Sequence, residues 1–322
     1  MQCPHCTATL PDDDLFCESC GARLGPTAEP AVCACGAPAS EIDDDGFCSR
    51  CGHRARRPAT DRMDVALSLS FAAVSDRGLK HARNEDRFGI RQAGGGYACV
   101  VCDGVSASRN SELASSAVSE TVAEALAGAL ANGGISDGEA IMRRAIAAGE
   151  AALAAHPARD ANDNPPSTTV VAALVAGGQA TVGWVGDSRA YWIGPEGARQ
   201  LTSDHSWMNA VVSAGEMTAE EAEKAPQAHA ITRWLGADAE GNSDADAAQF
   251  AFPAPGILLL CTDGLWNYAA APEAMARLVD EANRQSGEAL AVARHLIAFA
   301  IAQGGQDNVT AIVLRWEPQN LS

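Results

Sequence analysis

Positive charge is scarce in this sequence. The 322 residues include 23 lysines and arginines against 41 aspartates and glutamates, so the formal net charge is −18. Most of the surface would therefore repel the phosphates of nucleic acid and of anionic lipid. This argues against nucleic acid as a partner. It also means that a site handling phosphate needs local positive charge, for which bound metal ions are one source.

Long apolar runs are also missing. No run reaches the roughly 18 to 20 residues that cross a bilayer, and the N-terminus lacks a basic segment followed by an apolar one. These absences predict a cytoplasmic protein that is neither secreted nor in contact with a membrane. With 322 residues and 47% apolar composition, the chain is long enough for one large domain with a packed core and one small domain.

Cysteine is nearly confined to the first 51 residues, which hold eight of the 11. These eight form two copies of a paired pattern: Cys3, Cys6, Cys17 and Cys20, then Cys33, Cys35, Cys48 and Cys51. Thiolate pairs on tight turns are typical of structural zinc, so residues 1–53 are predicted to be a tandem zinc ribbon with two Zn²⁺ ions. A redox or disulfide cluster is the alternative, but redox motifs of this spacing occur singly beside a βαβ unit. The second copy departs from the pattern, because one residue instead of two separates Cys33 from Cys35.

The predicted zinc module carries acidic runs at residues 12–14 and 43–45, which argue against nucleic-acid binding. It is too short to bury enough surface unaided, so metal binding should supply its folding energy. A docking module for an unknown protein partner and a purely structural cap both remain open. Residues 54–63 contain four arginines and are predicted to be a basic linker.

Acidic side chains stand at the boundaries of four apolar segments. One Asp-Gly pair closes the run 97–104, and a second closes the run 256–264. The acidic residues within 84–86 and 306–308 adjoin further apolar runs. A buried strand that stops at a carboxylate and a glycine delivers an acidic group to the edge of a sheet. Oxygen ligands suit hard divalent cations, so the four clusters predict a metal site.

Strands follow strands and helices follow helices after residue 63, which favours an α+β fold with antiparallel sheets over an alternating doubly wound fold. The patterns predict strands at residues 65–73, 170–176, 181–185, 190–193 and 309–314, and helices at residues 111–131, 137–155, 272–282 and 287–302. Between them, the polar and alanine-rich segment at about 202–236 is predicted to be a mobile flap.

Six short motifs occur in a fixed order along residues 64–316. They are Asn84-Glu85-Asp86, Asp103-Gly104, Ser167-Thr168-Thr169, Gly186-Asp187-Ser188-Arg189, Thr262-Asp263-Gly264 and Asp307-Asn308, with the flap between the fourth and the fifth. Each is weak alone, but the ordered set resembles the metal-dependent Ser/Thr protein phosphatase family, type 2C, also called PPM. The resemblance implies a four-layer α-β-β-α sandwich of two antiparallel sheets flanked by helices, with the metals between the sheets at one end. The small double zinc ribbon would precede it.

The resemblance also implies a role for each matching residue. Six positions match metal ligands: Asp103 bridging two Mn²⁺ or Mg²⁺ ions, Glu85 and the Gly104 carbonyl on one ion, Asp263 and Asp307 on the other, and Asp187 on a weaker third ion near the flap. Asp86 matches the residue that orients the attacking water. The implied reaction is hydrolysis of phosphoserine or phosphothreonine in proteins, without a covalent intermediate.

Two departures from the family pattern concern the substrate. The family commonly has an arginine five residues before the aspartate of the Asn-Glu-Asp motif, where it grips the substrate phosphate, and here this position is His81. Arg83 is the nearby candidate substitute, although alternation along an extended segment could point it away. Residues 105–107 replace a glycine pair. We expect altered substrate grip and retained metal binding, with His81 and Arg83 as candidate catalytic residues beside Asp103 and Asp86.

The sequence offers no convincing cysteine or serine nucleophile, because Cys102 and Cys261 lie inside apolar runs. Enzymes can accelerate the hydrolysis of phosphate monoesters by up to about 10²¹-fold. General acid–base catalysis contributes only about 10² to 10⁴-fold of this acceleration. Two metal ions would therefore have to lower much of the barrier.

Residues 64–318 are thus predicted to be a type 2C phosphatase domain whose substrates are phosphoproteins made by Ser/Thr protein kinases. The alternative, motivated by His81 and residues 105–107, is a catalytically weak or inactive phosphatase-like regulator. It would bind phosphoproteins while the ribbons recruit a partner. A zinc-ribbon nucleic-acid binder is a third hypothesis, which the net charge argues against.

Overall fold

The structure is a computed structural model of the chain. It describes residues 33, 35–42, 47–52, 58–133, 136–153, 164–239 and 243–318. The first predicted zinc site, formed by Cys3, Cys6, Cys17 and Cys20, lies outside the described residues. Among the helices that are described, none is long and apolar enough to cross a membrane.

The chain divides into two compact units, Met1–Asp61 and Arg62–Ser322. In the first unit, the described part contains a 3₁₀ helix, the short helix Pro58–Asp61 and a β-bridge between Ile42 and Cys48. The finer boundaries predicted above, with a ribbon to residue 53 and a linker to residue 63, stay predictions.

Eleven strands lie in the described part of the second unit. They are β1 (Arg62–Ser68), β2 (Phe71–Asp76), β3 (Arg87–Ala93), β4 (Gly96–Cys102), β5 (Val170–Ala176), β6 (Gln179–Val185), β7 (Arg189–Gly194), β8 (Gly197–Gln200), β9 (Asp246–Ala251), β10 (Gly256–Cys261) and β11 (Val309–Trp316). One sheet has the order β1-β2-β11-β10-β7-β8 and the other β3-β4-β5-β6-β9. All of these strand pairs are antiparallel.

The described residues also form eight α-helices. They are α1 (Pro58–Asp61), α2 (Ser111–Ala131), α3 (Gly138–Leu153), α4 (Trp207–Ser213), α5 (Ala219–Glu223), α6 (Asp263–Trp266), α7 (Pro272–Gln285) and α8 (Ala289–Ala302), and the 3₁₀ helix spans Ala39–Glu41. The four long helices α2, α3, α7 and α8 cover the outer faces of the sheets.

Apolar side chains from the two sheets meet in a central core, where Phe71 of β2 and Val101 of β4 are fully buried. A second core lies between the six-stranded sheet and helices α7 and α8, around Leu296. A third lies between the five-stranded sheet and helices α2 and α3, around Leu126. Successive strand residues point to opposite faces, so the buried strands can serve two cores at once. The predicted α-β-β-α sandwich is confirmed.

The helix predicted at residues 111–131 is confirmed at both ends. The single strand predicted at residues 65–73 is wrong, because two strands, β1 and β2, form a hairpin there. The hairpin turns at Leu69 and Ser70, where the Ser70 N–H donates to the Ser68 hydroxyl at 3.2 Å. Alternation alone could not reveal this turn, since small polar residues occur on both sides of it. Strands β3, β8 and β9 were not predicted, because none of them contains a long buried apolar run.

Candidate metal centre

Asp103 and Gly104 follow β4 directly, and Thr168 and Thr169 hold their backbone. The Asp103 carbonyl accepts hydrogen bonds from the Thr169 N–H and the Thr168 hydroxyl, both at 2.8 Å. The Asp103 N–H donates to the Thr169 hydroxyl at 3.3 Å. A Cβ at Gly104 would lie only 2.8 Å from the Glu85 carbonyl. Glycine therefore lets Asp103 approach the Glu85 loop closely.

Hydrogen bonds hold the Glu85 carboxylate at both oxygens. The Ser111 hydroxyl donates to Oε1 at 2.7 Å and the Ser106 hydroxyl donates to Oε2 at 2.9 Å. The Glu85 N–H donates to the Asn308 side-chain oxygen at 2.7 Å. Ser106 belongs to the segment that replaces the expected glycine pair, so this departure supplies a hydrogen bond to a predicted metal ligand.

Asp86 is fully buried just before β3. Its Oδ2 accepts hydrogen bonds from the hydroxyls of Thr262 (2.9 Å) and Thr310 (2.7 Å), whereas its Oδ1 has no hydrogen-bond partner. Burial raises the pKa of this carboxyl to about 8, because the charged form loses its hydration. A buried carboxylate oxygen without a partner is costly unless a cation or a proton donor faces it.

A tight approach of the backbone places Asp263 next to the segment that carries Asp307. A Cβ at Gly264 would lie 1.9 Å from the Asn308 carbonyl, so only glycine lets α6 meet the start of β11 this closely. Asp263 Oδ1 is buried without a partner, and its Oδ2 accepts from the Asn267 amide at 3.1 Å. Burial, followed by the charge of Asp307, raises the pKa of Asp263 to about 6.

The acidic groups meet around Asp103. Burial raises the pKa of Asp103 well above its ordinary range, and the charges of Asp86, Asp263, Asp187 and Asp307 add to the effect. Five segments that are distant in the sequence thus bring their carboxylates into one electrostatically coupled group.

Asp187 lies in the turn between β6 and β7 and is 7% exposed. Neighbours hold the backbone of this turn on both sides. The Gly186 N–H donates to Nδ1 of His205 at 3.0 Å, and the Trp266 indole N–H donates to the Asp187 carbonyl at 3.0 Å. Burial, followed by the charge of Asp263, raises the pKa of Asp187 well above its ordinary range.

The flap is attached to the sandwich at both of its ends. At the first end, Arg189 Nε contacts both carboxylate oxygens of Asp204 (2.9 and 3.1 Å), and Nη2 contacts Oδ2 at 2.6 Å. The same guanidinium lies 3.6 Å from the centroid of the Trp266 ring. At the second end, Leu235 exchanges backbone hydrogen bonds with Thr168, both at 2.9 Å. The mobility of the segment between these ends stays a prediction.

Replacing Arg189 with methionine would leave Asp204 as an uncompensated buried charge. Because the two side chains are only 12% and 9% exposed, we expect a loss of about 3–5 kcal/mol in the free energy of unfolding, measured by urea denaturation. Arg91→Met is the matched control, since Arg91 pairs with Glu120 and Glu124, which are 62% and 61% exposed. The control should lose less than about 1 kcal/mol. Equal losses in the two variants would contradict this account.

His81 and Arg83 take different positions relative to the acidic group. The His81 ring places Nε2 3.2 Å from Asp307 Oδ1 and Nδ1 3.9 Å from Glu85 Oε2. Arg83 instead pairs with Glu112 of α2 at 3.0 Å. Through these contacts, His81 lies between two predicted metal ligands, whereas the Arg83 guanidinium contacts the neighbouring helix.

The residues present fit hard divalent cations. Their donors are carboxylate oxygens and the Gly104 carbonyl, the ligand type that Mg²⁺ and Mn²⁺ prefer. Two of the oxygens, Asp86 Oδ1 and Asp263 Oδ1, are buried without a hydrogen-bond partner. Several like charges in one buried region repel one another, and divalent cations would neutralise them.

The second cysteine set converges on one point. The Sγ–Sγ distances are 3.4 Å for Cys33 and Cys51, 3.2 Å for Cys33 and Cys35, and 3.7 Å for Cys35 and Cys48. Among the described residues, this is the one group of three or more metal-binding side chains whose ligand atoms all lie within 4.8 Å of one another. The carboxylates around Asp103 form a more open set.

The cysteine geometry and chemistry both suit zinc. The pKa of the Cys35 thiol falls to about 7, chiefly because of its side-chain hydrogen bond with Cys33, and the thiolate is the form that binds metal. The one-residue spacing between Cys33 and Cys35 therefore does not keep the four sulfur atoms apart.

Several residues that hold the predicted ligands in place have no local sequence motif: Ser106, Ser111, Asp204, Trp266 and Thr310. Each contacts a partner distant in the sequence, as Thr310 contacts Asp86 across 224 positions. The sequence does contain one indication for Thr310. It lies inside an otherwise apolar strand, where a buried hydroxyl needs a hydrogen-bond partner.

Two family models match the chain. The model described as Protein phosphatase 2C matches residues 77–299. The model described as Double zinc ribbon matches residues 3–52.

The chain is also similar to bacterial proteins of known name. It is 30% identical over 241 residues to the serine/threonine phosphatase stp of Listeria welshimeri. The matched region covers 74% of this chain and 93% of that protein. It is 32% identical over 256 residues to the serine/threonine protein phosphatase PstP of Mycobacterium tuberculosis. This match covers 77% of this chain and 45% of PstP.

Solved structures share the sandwich. The crystal structure of the Mycobacterium tuberculosis serine/threonine phosphatase PstP/Ppp superposes with a TM-score of 0.64 at 30% identity, covering 77% of this chain and 98% of that one. The catalytic domain of PstP in complex with two manganese ions has a TM-score of 0.62 at 29% identity, again covering 77% and 98%.

Proposed function

Because the chain belongs to the protein phosphatase 2C family, we propose that water attacks phosphoserine or phosphothreonine directly at the candidate metal centre. Family membership makes the chain a serine/threonine protein phosphatase, a metal-dependent hydrolase that acts on phosphoproteins. One observation carries the assignment of the site. Acidic groups from distant segments meet around Asp103, and two of their buried oxygens, on Asp86 and Asp263, have no hydrogen-bond partner.

The metal ions of the phosphatase unit are proposed to be two Mn²⁺ or Mg²⁺ ions, with a third bound more weakly. Their ligands would be Asp103, Glu85, the Gly104 carbonyl, Asp263 and Asp307, with Asp187 on the third ion. When bound, two such ions make water a stronger nucleophile and offset the charge of the phosphoryl group. The two manganese ions of the PstP catalytic domain support this choice of metal.

Asp86 is proposed to orient the attacking water and to accept its proton. Thr262 and Thr310 hold Oδ2, which leaves Oδ1 as the oxygen that faces the reaction. Burial makes this carboxylate more basic than an exposed aspartate, and the charge of nearby cations would keep it ionised before it accepts the proton. The two threonine hydroxyls fix the direction of this proton transfer.

His81 is proposed to contact the substrate phosphate in the place of the family's arginine. It lies against Asp307 and Glu85, whereas Arg83 pairs with Glu112. A single ring N–H cannot form the two parallel hydrogen bonds that a guanidinium gives to phosphate. The substrate grip is therefore expected to be weak, with little effect on metal binding.

The His81→Arg variant tests this assignment. It should lower KM for a phosphothreonine peptide by about tenfold, since a charged bidentate contact is worth about 1.4 kcal/mol or more. Arg83→Gln, the matched variant two residues away, should change KM by less than about threefold. Steady-state kinetics with saturating Mn²⁺ measures both. A larger KM effect from Arg83→Gln than from His81→Arg would assign the phosphate contact to Arg83 instead.

The substrates are proposed to be proteins phosphorylated by Ser/Thr protein kinases. In the N-terminal unit, the double zinc ribbon is proposed to hold two Zn²⁺ ions and to bind a protein partner. Its four described cysteines form no disulfide, which suits a reducing compartment and supports the cytoplasm as the proposed location. The chain's negative charge argues against nucleic acid as the ribbon's ligand.

The alternative of an inactive regulator is not favoured, because the relatives are named serine/threonine phosphatases. The decisive test supplies the full chain with Mn²⁺ and a phosphothreonine peptide. Catalytic phosphate release over many turnovers is the expected result. Tight binding of the peptide without phosphate release would support the regulator and overturn the proposed function.

A further inference from the structure

Exposed apolar side chains concentrate at one place on the phosphatase unit. Among the described residues, six large apolar side chains are exposed, and three of them are Val65 (39%), Leu67 (44%) and Leu69 (72%). These three lie within five positions of one another, on β1 and the turn that follows it. A contiguous exposed apolar patch of this kind is typical of an interaction site.

Strand β1 is also the edge of the six-stranded sheet. It pairs with β2 on one side, and no described strand pairs with its other side. With seven residues, β1 offers a row of backbone N–H and C=O groups to another strand. The apolar patch and the open backbone edge thus coincide.

The other three sheet edges are protected in the ways that monomeric sheets use. Strand β8 has only four residues and ends in Arg199 and Gln200. Strand β3 packs against α2, whose Glu120 and Glu124 pair with Arg91 of the strand. At β9, Arg143 of α3 donates to the carbonyls of Ala245 (3.3 Å) and Ala247 (3.4 Å). Strand β1 lacks these three protections, although the register of its pairing with β2 shifts between Ala66 and Ser68.

The charges on β1 do not block its edge, because they bind other parts of the same chain. Arg62 pairs with Asp76 of β2 at 3.2 Å and with Asp64 at 3.0 Å. Asp64 also pairs with Arg294 of α8 at 2.6 Å. The strand is therefore locally neutral, although the whole chain is acidic.

We propose that β1 pairs antiparallel with β1 of a second copy of this chain, so that the two six-stranded sheets join into one. A two-fold axis through Val65 gives a self-complementary register. It sets Met63 opposite Leu67 of the second copy, Asp64 opposite Ala66, and Arg62 opposite Ser68. Val65 meets Val65, Met63 meets Leu67 and no like charges face each other, which suits an isologous contact.

The oligomeric state of the full chain with zinc and Mn²⁺ tests the proposal. Sedimentation velocity should show a dimer at micromolar concentration, and Leu67→Lys should convert at least nine-tenths of it to monomer. Leu113→Lys is the matched control, because Leu113 is equally exposed (44%) but lies on α2, and it should leave the dimer intact. A monomeric wild-type chain would overturn the proposal, and so would a dimer that Leu67→Lys leaves unchanged.

The register has its own test by disulfide cross-linking. The proposed axis puts the two Val65 Cβ atoms about 4.5–5.5 Å apart, close enough for Val65→Cys to form an intermolecular disulfide with small adjustments. The two Ser68 positions would lie roughly 20 Å apart, so Ser68→Cys should not cross-link. Peptide mass spectrometry identifies the linked pair. A cross-link through Ser68→Cys with none through Val65→Cys would overturn the antiparallel pairing.

Discussion

The Asp103→Asn variant is expected to lose phosphatase activity by at least about 10³-fold in kcat, a loss of about 4 kcal/mol of transition-state stabilisation. Asp103 lies at the meeting point of the acidic group, where the charges of Asp86, Asp263, Asp187 and Asp307 act on it. An amide has one weak acceptor oxygen and no charge, so it cannot bridge two cations. Hydrolysis of a phosphothreonine peptide at saturating Mn²⁺ measures the loss.

The variant should nevertheless fold. Burial raises the pKa of the Asp103 carboxyl well above its ordinary range, so the metal-free fold favours its neutral form. A neutral amide of the same shape should therefore leave the thermal midpoint of the metal-free protein unchanged or raised. Asp280→Asn, an exposed position on α7, controls for the change of charge and should keep full activity. An active Asp103→Asn enzyme would refute the proposed site.

Removal of divalent cations is expected to abolish the activity completely, and Mn²⁺ alone should restore it. After exhaustive chelation of the full chain, Mn²⁺, Zn²⁺ and both together are returned to separate samples. Because the proposed reaction uses the carboxylate site, Mn²⁺ without Zn²⁺ should recover most of the wild-type rate, measured by phosphate release. Recovery with Zn²⁺ alone would assign the chemistry to the cysteine site instead.

The same samples should show a pH-dependent stabilisation by Mn²⁺. In the metal-free chain, the pKa of Asp263 is raised from 3.8 to about 6. The stability that this group contributes is thus fully present below pH 3.8 and is lost as the pH rises through 6. Mn²⁺ replaces the proton, so it should raise the thermal midpoint more at pH 7.5 than at pH 5. A larger stabilisation at pH 5 would contradict the raised pKa.

The sequence predicted where the acidic residues lie because a simple local rule governs them. A β-favouring run that ends in Asp-Gly stops at a sheet edge, and both Asp103 and Asp263 follow buried strands, β4 and β10, in this way. The helix α2 was predicted at its bounds because its alanine-rich composition and its length both favour a helix.

The positions of the supporting residues could not be predicted, because each depends on contacts between segments that only the fold brings together. Ser106 was interpreted as part of a lost glycine pair, yet its hydroxyl donates to Glu85. No partner for Arg189 could be predicted, and the structure provides Asp204 from the flap. The hairpin of β1 and β2 was missed because its turn contains neither glycine nor proline.

The central claim is that carboxylates from distant segments bind two divalent cations around Asp103. Anomalous diffraction at the manganese edge, from crystals grown with Mn²⁺, tests it most directly. The account predicts two anomalous peaks about 3.5–4 Å apart, with the Asp103 carboxylate between them and Asp263 and Asp307 beside one of them. Crystals at full Mn²⁺ occupancy with no peak at Asp103, and manganese bound elsewhere on the chain, would contradict it.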